Sequence, residues 1–572
     1  MTPKAATPES STGFLAVLFA PRKLSTLLML AFAIGAVHVA SMFSWRFIVG
    51  TAPFWDFPRG IVPGGTVDMG QELVGYLYLA QGPWGLPLLH VPNLLPPAGS
   101  NAFWLDPVPW LALLGRSIRD VTGHVTNLLG FYVALAFALP GVAVTWVLAL
   151  TGQRSLVAAI GAALLADAAP FLLFEWGHVA LCGQALTVFA LALYLLALQR
   201  PRSRNVAAAW YGLLVLTFLT HLYLFVMVGG IWTAGVVQRA LDRSLSGRLL
   251  AREAAGAVGL IVAVALLTGI LSWQDRSGGT SGFGVFSLNL GSPFVPQLSG
   301  AIPPLRHYWI GMHSQVLGYL GLGALLVLAC AAPGLVSWLR GNARRHAALL
   351  AVMAGFYLFA LSDTVTLGSH VLLHIPLPQG LAYALGAFRA SGRFIWPVAN
   401  TLITLSVLTV LRRYRPTAAL AILALGGVVQ MADVGPIRQA VAASTRQAVP
   451  AVLDRAAVNR VLAHAHRVMI FPSSGCVDGG AEESRSVQAG VARLAQANVE
   501  IQLLAAWRNL PINSTVNSRI ATDCTAEARI RHSPRRPGVA YFYLTPRGPG
   551  PADACHAIGW LRACLITDHA KD

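Results

Sequence analysis

Eleven apolar runs recur along the chain, near 24–49, 125–150, 155–174, 181–198, 206–220, 222–238, 254–272, 314–339, 346–362, 394–411 and 416–434. Most approach the ~20 residues that carry an α-helix across a bilayer. The runs 206–220 and 346–362 are shorter. The first run follows Arg22 and Lys23 and exceeds the ~7–15-residue core of a signal peptide. His38 spoils the small-residue pattern that cleavage requires, so this run predicts a retained anchor. After 434 the pattern changes. Val468–Phe471 and Ala540–Leu544 read as strands, and Ser486 to Leu504 between them reads as helix. The expected fold is therefore mainly α. It is a polytopic membrane protein with about eleven transmembrane helices over 24–434, preceded by a short segment 1–23. A small α/β domain with mixed strands is expected over 435–572.

Charge fixes an expected orientation. Arg22 and Lys23, Arg154, then Arg200, Arg202 and Arg204 all fall in alternate connections. So do Arg239, Arg243, Arg248 and Arg252, then Arg340, Arg344 and Arg345, and finally Arg412, Arg413 and Arg415. If all eleven runs cross, these clusters share one side, and the positive-inside rule makes that side cytoplasmic. The large first loop 50–124, the turn at Glu175 to His178, and the segments 273–313, 363–393 and 435–572 then lie outside. The expected location is a bacterial inner membrane, with the N terminus cytoplasmic and the C-terminal domain periplasmic or extracellular.

Composition agrees with a bilayer. Of 572 residues, 55% are hydrophobic and 11% charged, with a mean hydropathy of +0.61. A soluble chain carries about 25% charged residues. The net charge of +18 sits in short clusters between apolar runs, which argues for topology and against a nucleic-acid surface. Cys182 and Cys330 lie within apolar runs and read as packed thiols. Cys476, Cys524, Cys555 and Cys564 cluster in the last segment without the CxxC spacing of a zinc site. Two disulfides are expected there, hence an oxidising compartment. The favoured pairing is Cys476 with Cys524 and Cys555 with Cys564, with all three connectivities open on the sequence.

Candidate chemistry lies in the outer segments. The first loop holds Asp56, Asp68, Glu72 and Asp106 among Trp55, Trp84, Trp104 and Trp110. These carboxylates are either solvated loop charges or a functional set. Glu175 and His178 stand at the outer end of the third run, and His221 beside Tyr223 at a tight outer turn. Arg389 and Arg393 enter the tenth run four residues apart, and if that stretch is helical they share one face. Outer-side arginines oppose the topology bias. They either snorkel to headgroups or bind an anion such as a lipid phosphate. His307 and His313 are weaker candidates. No GxxxxGK[ST] loop, HExxH pair, GxSxG elbow or outward DxD is present, so no cofactor or metal is expected.

Several stretches carry a resemblance: "VDMGQELVGYLYLAQGPW", "FWLDPVPWLALLGRSI", "WGHVALCGQALTVFALALYL", "HLYLFVMV", "GFGVFSLNLGSPFVPQ", "GYLGLGALL" and "FRASGRFIWP". Together with the weaker "EIQLLAAWRNLPINS", they make the chain resemble the GT-C superfamily of membrane glycosyltransferases. More narrowly, they resemble a bacterial family of polytopic proteins placed in that superfamily by fold. The resemblance implies sugar transfer from a polyprenyl-phosphate carrier, with an acidic residue of the first outer loop acting as base or positioning the acceptor. Asp68 fits that acid best, Asp106 is second and Glu72 third. Asp68 is followed by Met69, where many such enzymes carry an adjacent Asp-Glu pair. Arg389 and Arg393 would clamp the departing phosphate, and Glu175, His178 or His221 would orient donor or acceptor. The expected partners are membrane lipid, the lipid-linked sugar and a glycan, lipid or protein acceptor. The competing expectation is a non-enzymatic transporter or scaffold for envelope polysaccharide. It is disfavoured by the scarcity of mid-run charges, since Asp167 and Asp433 lie near run ends.

Overall fold

The structure is a computed structural model that describes residues 9–58, 68–271, 283–305, 318–448, 450–477, 485–516, 522–544 and 555–566. His307 and His313 lie outside the described residues. The chain opens with α1 (Glu9–Phe19), the long α2 (Leu24–Met42) and the single turn α3 (Trp45–Ile48). The first loop contributes α4 (Asp68–Gln81), the short ladder β1 (His90–Val91) with β2 (Ser100–Asn101), and α5 (Pro109–Thr122). The bundle continues through α6 (Leu129–Ala138), α7 (Pro140–Leu150), α8 (Leu156–Ala166), α9 (Pro170–Leu173), α10 (Ala185–Gln199), α11 (Arg204–Phe218), α12 (Leu222–Leu241) and α13 (Gly247–Thr268). Next come α14 (Leu322–Asn342), α15 (Ala347–Leu361), the hairpin β3 (Thr364–Leu367) and β4 (His370–His374), and α16 (Gln379–Gly386). The bundle closes with α17 (Ile395–Arg413) and α18 (Pro416–Asp433).

Among the described residues nine helices are long and apolar enough to cross a membrane, or ten if the pair α8 and Pro170–Gly177, bent by 46°, is one span. This corrects the expected eleven. All eleven apolar runs contain helix, but two fall short of a straight span. The third run breaks at Asp167 to Ala169, just ahead of Pro170. The fifth, α11, has 15 residues, a rise of only about 22 Å. The outward faces of the long helices are apolar: Met29, Phe32 and Val37 on α2, and Val258, Val262, Leu266 and Leu267 on α13, are exposed. Such a surface is compatible with a multi-pass membrane protein.

Buried polar side chains satisfy the helix breaks. Asp167 accepts the Gly141 amide at 2.7 Å where Pro140 interrupts the α6–α7 rod. Asp433 accepts the Leu322 amide and the Tyr319 hydroxyl, each at 2.9 Å, capping α14. Gln430 donates to Ala168 and Leu320 carbonyls and accepts the Ala324 amide. Each replaces a backbone partner that the helix break removes.

The C-terminal segment runs α19 (Gly435–Arg446), α20 (Arg455–Leu462), β5 (Arg467–Phe471), α21 (Arg485–Trp507), α22 (Cys524–Arg531), β6 (Val539–Tyr543), β7 (Cys555–Ile558) and β8 (Leu561–Leu565). The sheet order is β5-β6-β8-β7, with β5 and β6 parallel and the other pairs antiparallel. Cys476 is bonded to Cys524 and Cys555 to Cys564. This α/β layer shares its core with the first loop. Tyr78 donates to the Leu510 carbonyl at 2.7 Å, Gln81 to Ala506 at 2.7 Å, and Asn93 to Asn509 at 2.9 Å. Loop and C-terminal segment thus form one packed cap.

Candidate functional site

The cap is organised around α4. Eleven of its 14 residues are buried, so the helix is enclosed on all sides and not amphipathic. Small residues make this possible. A Cβ on Gly70 would meet Val499 Cγ1 of α21 at 2.7 Å, and one on Gly75 would meet Leu105 Cβ at 2.7 Å. Asp68 occupies the first turn, where the helix dipole favours a carboxylate. Glu72 follows one turn later on the same face. It is 3% exposed. Its Oε2 accepts the Val179 amide at 2.7 Å and its Oε1 the Ala180 amide at 3.4 Å. These are free N–H groups of the turn that leads into α10. Burial pushes the Glu72 carboxyl well above the ordinary glutamate range, and the Asp106 and Asp68 charges add to that against the two amides.

Asp106 reaches the same place from the loop. Both Asp106 and Val108 hold positive φ, 52° and 51°, around Pro107. Neither is glycine, so the turn is strained by about 1–3 kcal/mol per residue. The strain is held by packing: the Trp110 amide and ring nitrogen bond to Leu219 and Thr220 in the turn between α11 and α12. That turn carries His221. Its Nδ1 accepts the Tyr223 amide at 3.1 Å, which places the proton of the neutral ring on Nε2. Nε2 lies 3.4 Å from Asp106 Oδ1. The result is a carboxylate–imidazole pair with an assigned tautomer.

A second pair stands beside it. His178 Nε2 is 3.5 Å from Asp68 Oδ2, and both side chains are about a third open to solvent, 28% and 32%. The His178 ring also feels the charges of Arg393, Glu175 and Asp106. Arg393 Nη2 lies 3.6 Å from Glu175 Oε2, too long for a hydrogen bond. Its guanidinium sits over the Tyr223 ring, 5.5 Å from the centroid. Neither Arg393 Nε nor Glu175 Oε2, both buried, has a hydrogen-bond partner among the described residues. Tyr223 accepts the Ala390 amide at 3.0 Å and so ties the approach to α17 to α12. Under Glu175, Trp176 packs on Phe43, Phe47 and Phe54 at centroid distances of 6.3, 6.4 and 5.4 Å.

The structure therefore brings Asp68, Glu72, Asp106, Glu175, His178, His221 and Arg393 together from five stretches of chain. Arg389 does not join them through any described contact. It is exposed, with its guanidinium 5.5 Å from the Phe286 ring centroid. Among the described residues, no three His, Cys, Asp or Glu groups are disposed to hold a metal ion.

Residues 32–435 match the model of a family described as a domain of unknown function, DUF6311. The chain belongs to this family. No curated protein matches the chain. All seven clustered residues lie within the DUF6311 region, whereas the four disulfide cysteines lie beyond it.

Three features of the DUF6311 cluster escape sequence reasoning. Tyr223 serves as a platform for Arg393. The Asp106 turn is strained, for which "LDPVP", an acid between two turn residues, is the available signal. The hairpin β3–β4 with α16 exposes Leu367, Val371, Leu372, Leu373, Ile375 and Tyr383 beside the cluster's arginine segment, within a stretch that reads only as a loop.

Proposed function

We propose that this cluster transfers a sugar from a polyprenyl-phosphate carrier to an envelope acceptor on the outer face of a bacterial inner membrane. The observation that carries the reading is one site holding solvent-accessible carboxylates and a half-sated arginine. Asp68 and Asp106 are both open enough to meet an acceptor hydroxyl. Arg393 is buried on one side and keeps Nε without a hydrogen-bond partner among the described residues. In the reaction the acceptor oxygen attacks the anomeric carbon while the bond from that carbon to the phosphate oxygen breaks. The acceptor proton passes to Asp68 while Asp106 positions the acceptor, and the leaving phosphate takes the electron pair. Arg393 stabilises that developing charge. His178 and His221 hold the two carboxylates in place. The exposed apolar hairpin gives a lipid carrier a flank along which to approach.

Orientation is part of the same reading. Arg204 and His221 stand at opposite ends of the short α11, the arginine at the far end of the bundle and the histidine at the cluster. All the arginine clusters then lie at the end remote from the site, as the positive-inside rule requires. The reading is tested by mass spectrometry of envelope glycans in a strain lacking the protein, complemented with wild type or Asp68→Asn. The wild type restores a missing sugar and the variant does not. Restoration by Asp68→Asn removes Asp68 from the reaction.

A further inference from the structure

At the other end of the bundle lies a cavity of about 260 Å³ between α7, α10, α14, α15 and α17. Helices α10 and α17 link it to the cluster: each starts at the cluster and lines this cavity with its last turns. Along α17, Ile395 beside the cluster and Arg412 are about 26 Å apart. The lining has two parts. The wall is apolar, with Val147, Leu191, Leu195, Leu349, Met353 and Leu405. The mouth is polar, with Arg345, Arg412, Gln199 and Asn342. Both arginines are exposed. Arg412 Nη2 donates to the Thr151 carbonyl at 2.7 Å, which fixes the guanidinium at the rim. Inside, the Tyr194 hydroxyl and His346 Nδ1 are 3.0 Å apart, and Trp338 stacks on His346 at 5.6 Å. The carboxylate that reaches this pair, Asp242, is bound by Gln238 and does not line the cavity.

An apolar slot with a cationic mouth suits a molecule with an apolar chain and an anionic head. We propose that this slot binds one acyl chain of an anionic phospholipid, with its phosphate held between Arg345 and Arg412. Arginine suits the head because its planar fork takes phosphate oxygens two at a time. The chain replaces the side-chain contacts that the wall lacks. The occupant is a bilayer lipid and not the sugar carrier, because the slot and the acidic cluster lie at opposite ends of the same helices.

The test is photolabelling of the purified full-length protein in detergent. The probes are a phosphatidylglycerol with a diazirine near the end of one acyl chain and the matching phosphatidylcholine. The expected result is labelling of α10, α15 or α17 wall residues by phosphatidylglycerol, at least fivefold above phosphatidylcholine. The double variant Arg345→Gln, Arg412→Gln should lower it about fivefold, and Arg345→Lys, Arg412→Lys should keep it. Leu405→Trp should block labelling by filling the slot. Arg345→Gln alone is an exposed change that preserves the fold, and it should still reduce labelling about twofold. Equal labelling by the two lipids, labelling away from the slot, or no effect of Arg345→Gln in a folded protein would overturn the proposal.

Discussion

The two ends of the bundle use charge in opposite ways. At the cluster, ionisable groups are held by named partners: Asp68 by His178, Asp106 by His221, Glu72 by two amides, and Arg393 by Glu175 and Tyr223. Backbone strain at Asp106 and Val108 accompanies them. At the far end, exposed arginines such as Arg200, Arg202, Arg243, Arg344 and Arg345 sit in short connections. A buried exception, Arg239, forms a two-pronged pair with Glu253 at 2.6 and 3.0 Å. Exposed charge costs little and orients a chain. Buried, partnered charge is costly and persists where the surroundings over-determine it.

The contrast can be broken by mutation. The largest expected effect is on transfer. Asp106→Asn should lower sugar transfer by about a hundredfold, the scale of misplacing the acceptor by about 1 Å, with the unfolding midpoint unchanged. Activity within tenfold of wild type would return Asp106 to the solvated loop charges. Next comes Arg393→Ala, which leaves Glu175 buried without a counter-charge and should cost about 3 kcal/mol. Thermal unfolding in detergent measures it. Arg344→Ala at the far end should stay within about 0.5 kcal/mol. Similar losses at both positions would erase the distinction drawn here.

Cys476→Ser opens a disulfide loop with a sequence separation of 48 and should cost about 2–4 kcal/mol. The loss should appear in the cap's unfolding, and reductant should lower the wild-type midpoint by more than that of the variant, which retains only Cys555–Cys564. Glu72→Gln is a smaller test with a pH signature. The folded carboxyl is raised above the ordinary value of 4.5. Its stability contribution is therefore full below that value and is lost as pH rises through the folded value. The wild-type midpoint should fall relative to Glu72→Gln as pH rises above 4.5. A constant difference above that value would show an ionised Glu72. The smallest effect belongs to Arg389→Ala, which should move stability by less than about 0.5 kcal/mol because its side chain is exposed.

The same contrast explains what the sequence made legible. Apolar runs and arginine clusters are local patterns, so helix positions were readable and all eleven runs contain helix. The span count was less so, because Pro170 and the 15-residue α11 interrupt or shorten runs whose composition alone looks continuous. The strands β5 and β6 and the helix α21 announced themselves by composition. Their docking against α4 did not, since Tyr78 and Leu510 are 432 residues apart. The site was legible as an inventory and not as pairs. Nothing in the chain assigns His178 to Asp68 or His221 to Asp106, each across more than a hundred residues. Arg389 and Arg393 looked equivalent by spacing. Burial separates them, because Arg393 enters the bundle over Tyr223 while Arg389 stays outside over Phe286.

The most direct measurement is single-turnover transfer by the purified full-length protein given a polyprenyl-phosphate sugar and an envelope acceptor extract. Release of free polyprenyl phosphate is followed by mass spectrometry. The account predicts release matched mole for mole by glycosylated acceptor in the wild type. It predicts at least a hundredfold less in an Asp68→Asn protein that unfolds at the wild-type midpoint. Release unaltered in Asp68→Asn, or no release by wild type from any polyprenyl-phosphate sugar in the presence of an extract that contains its acceptor, would contradict it.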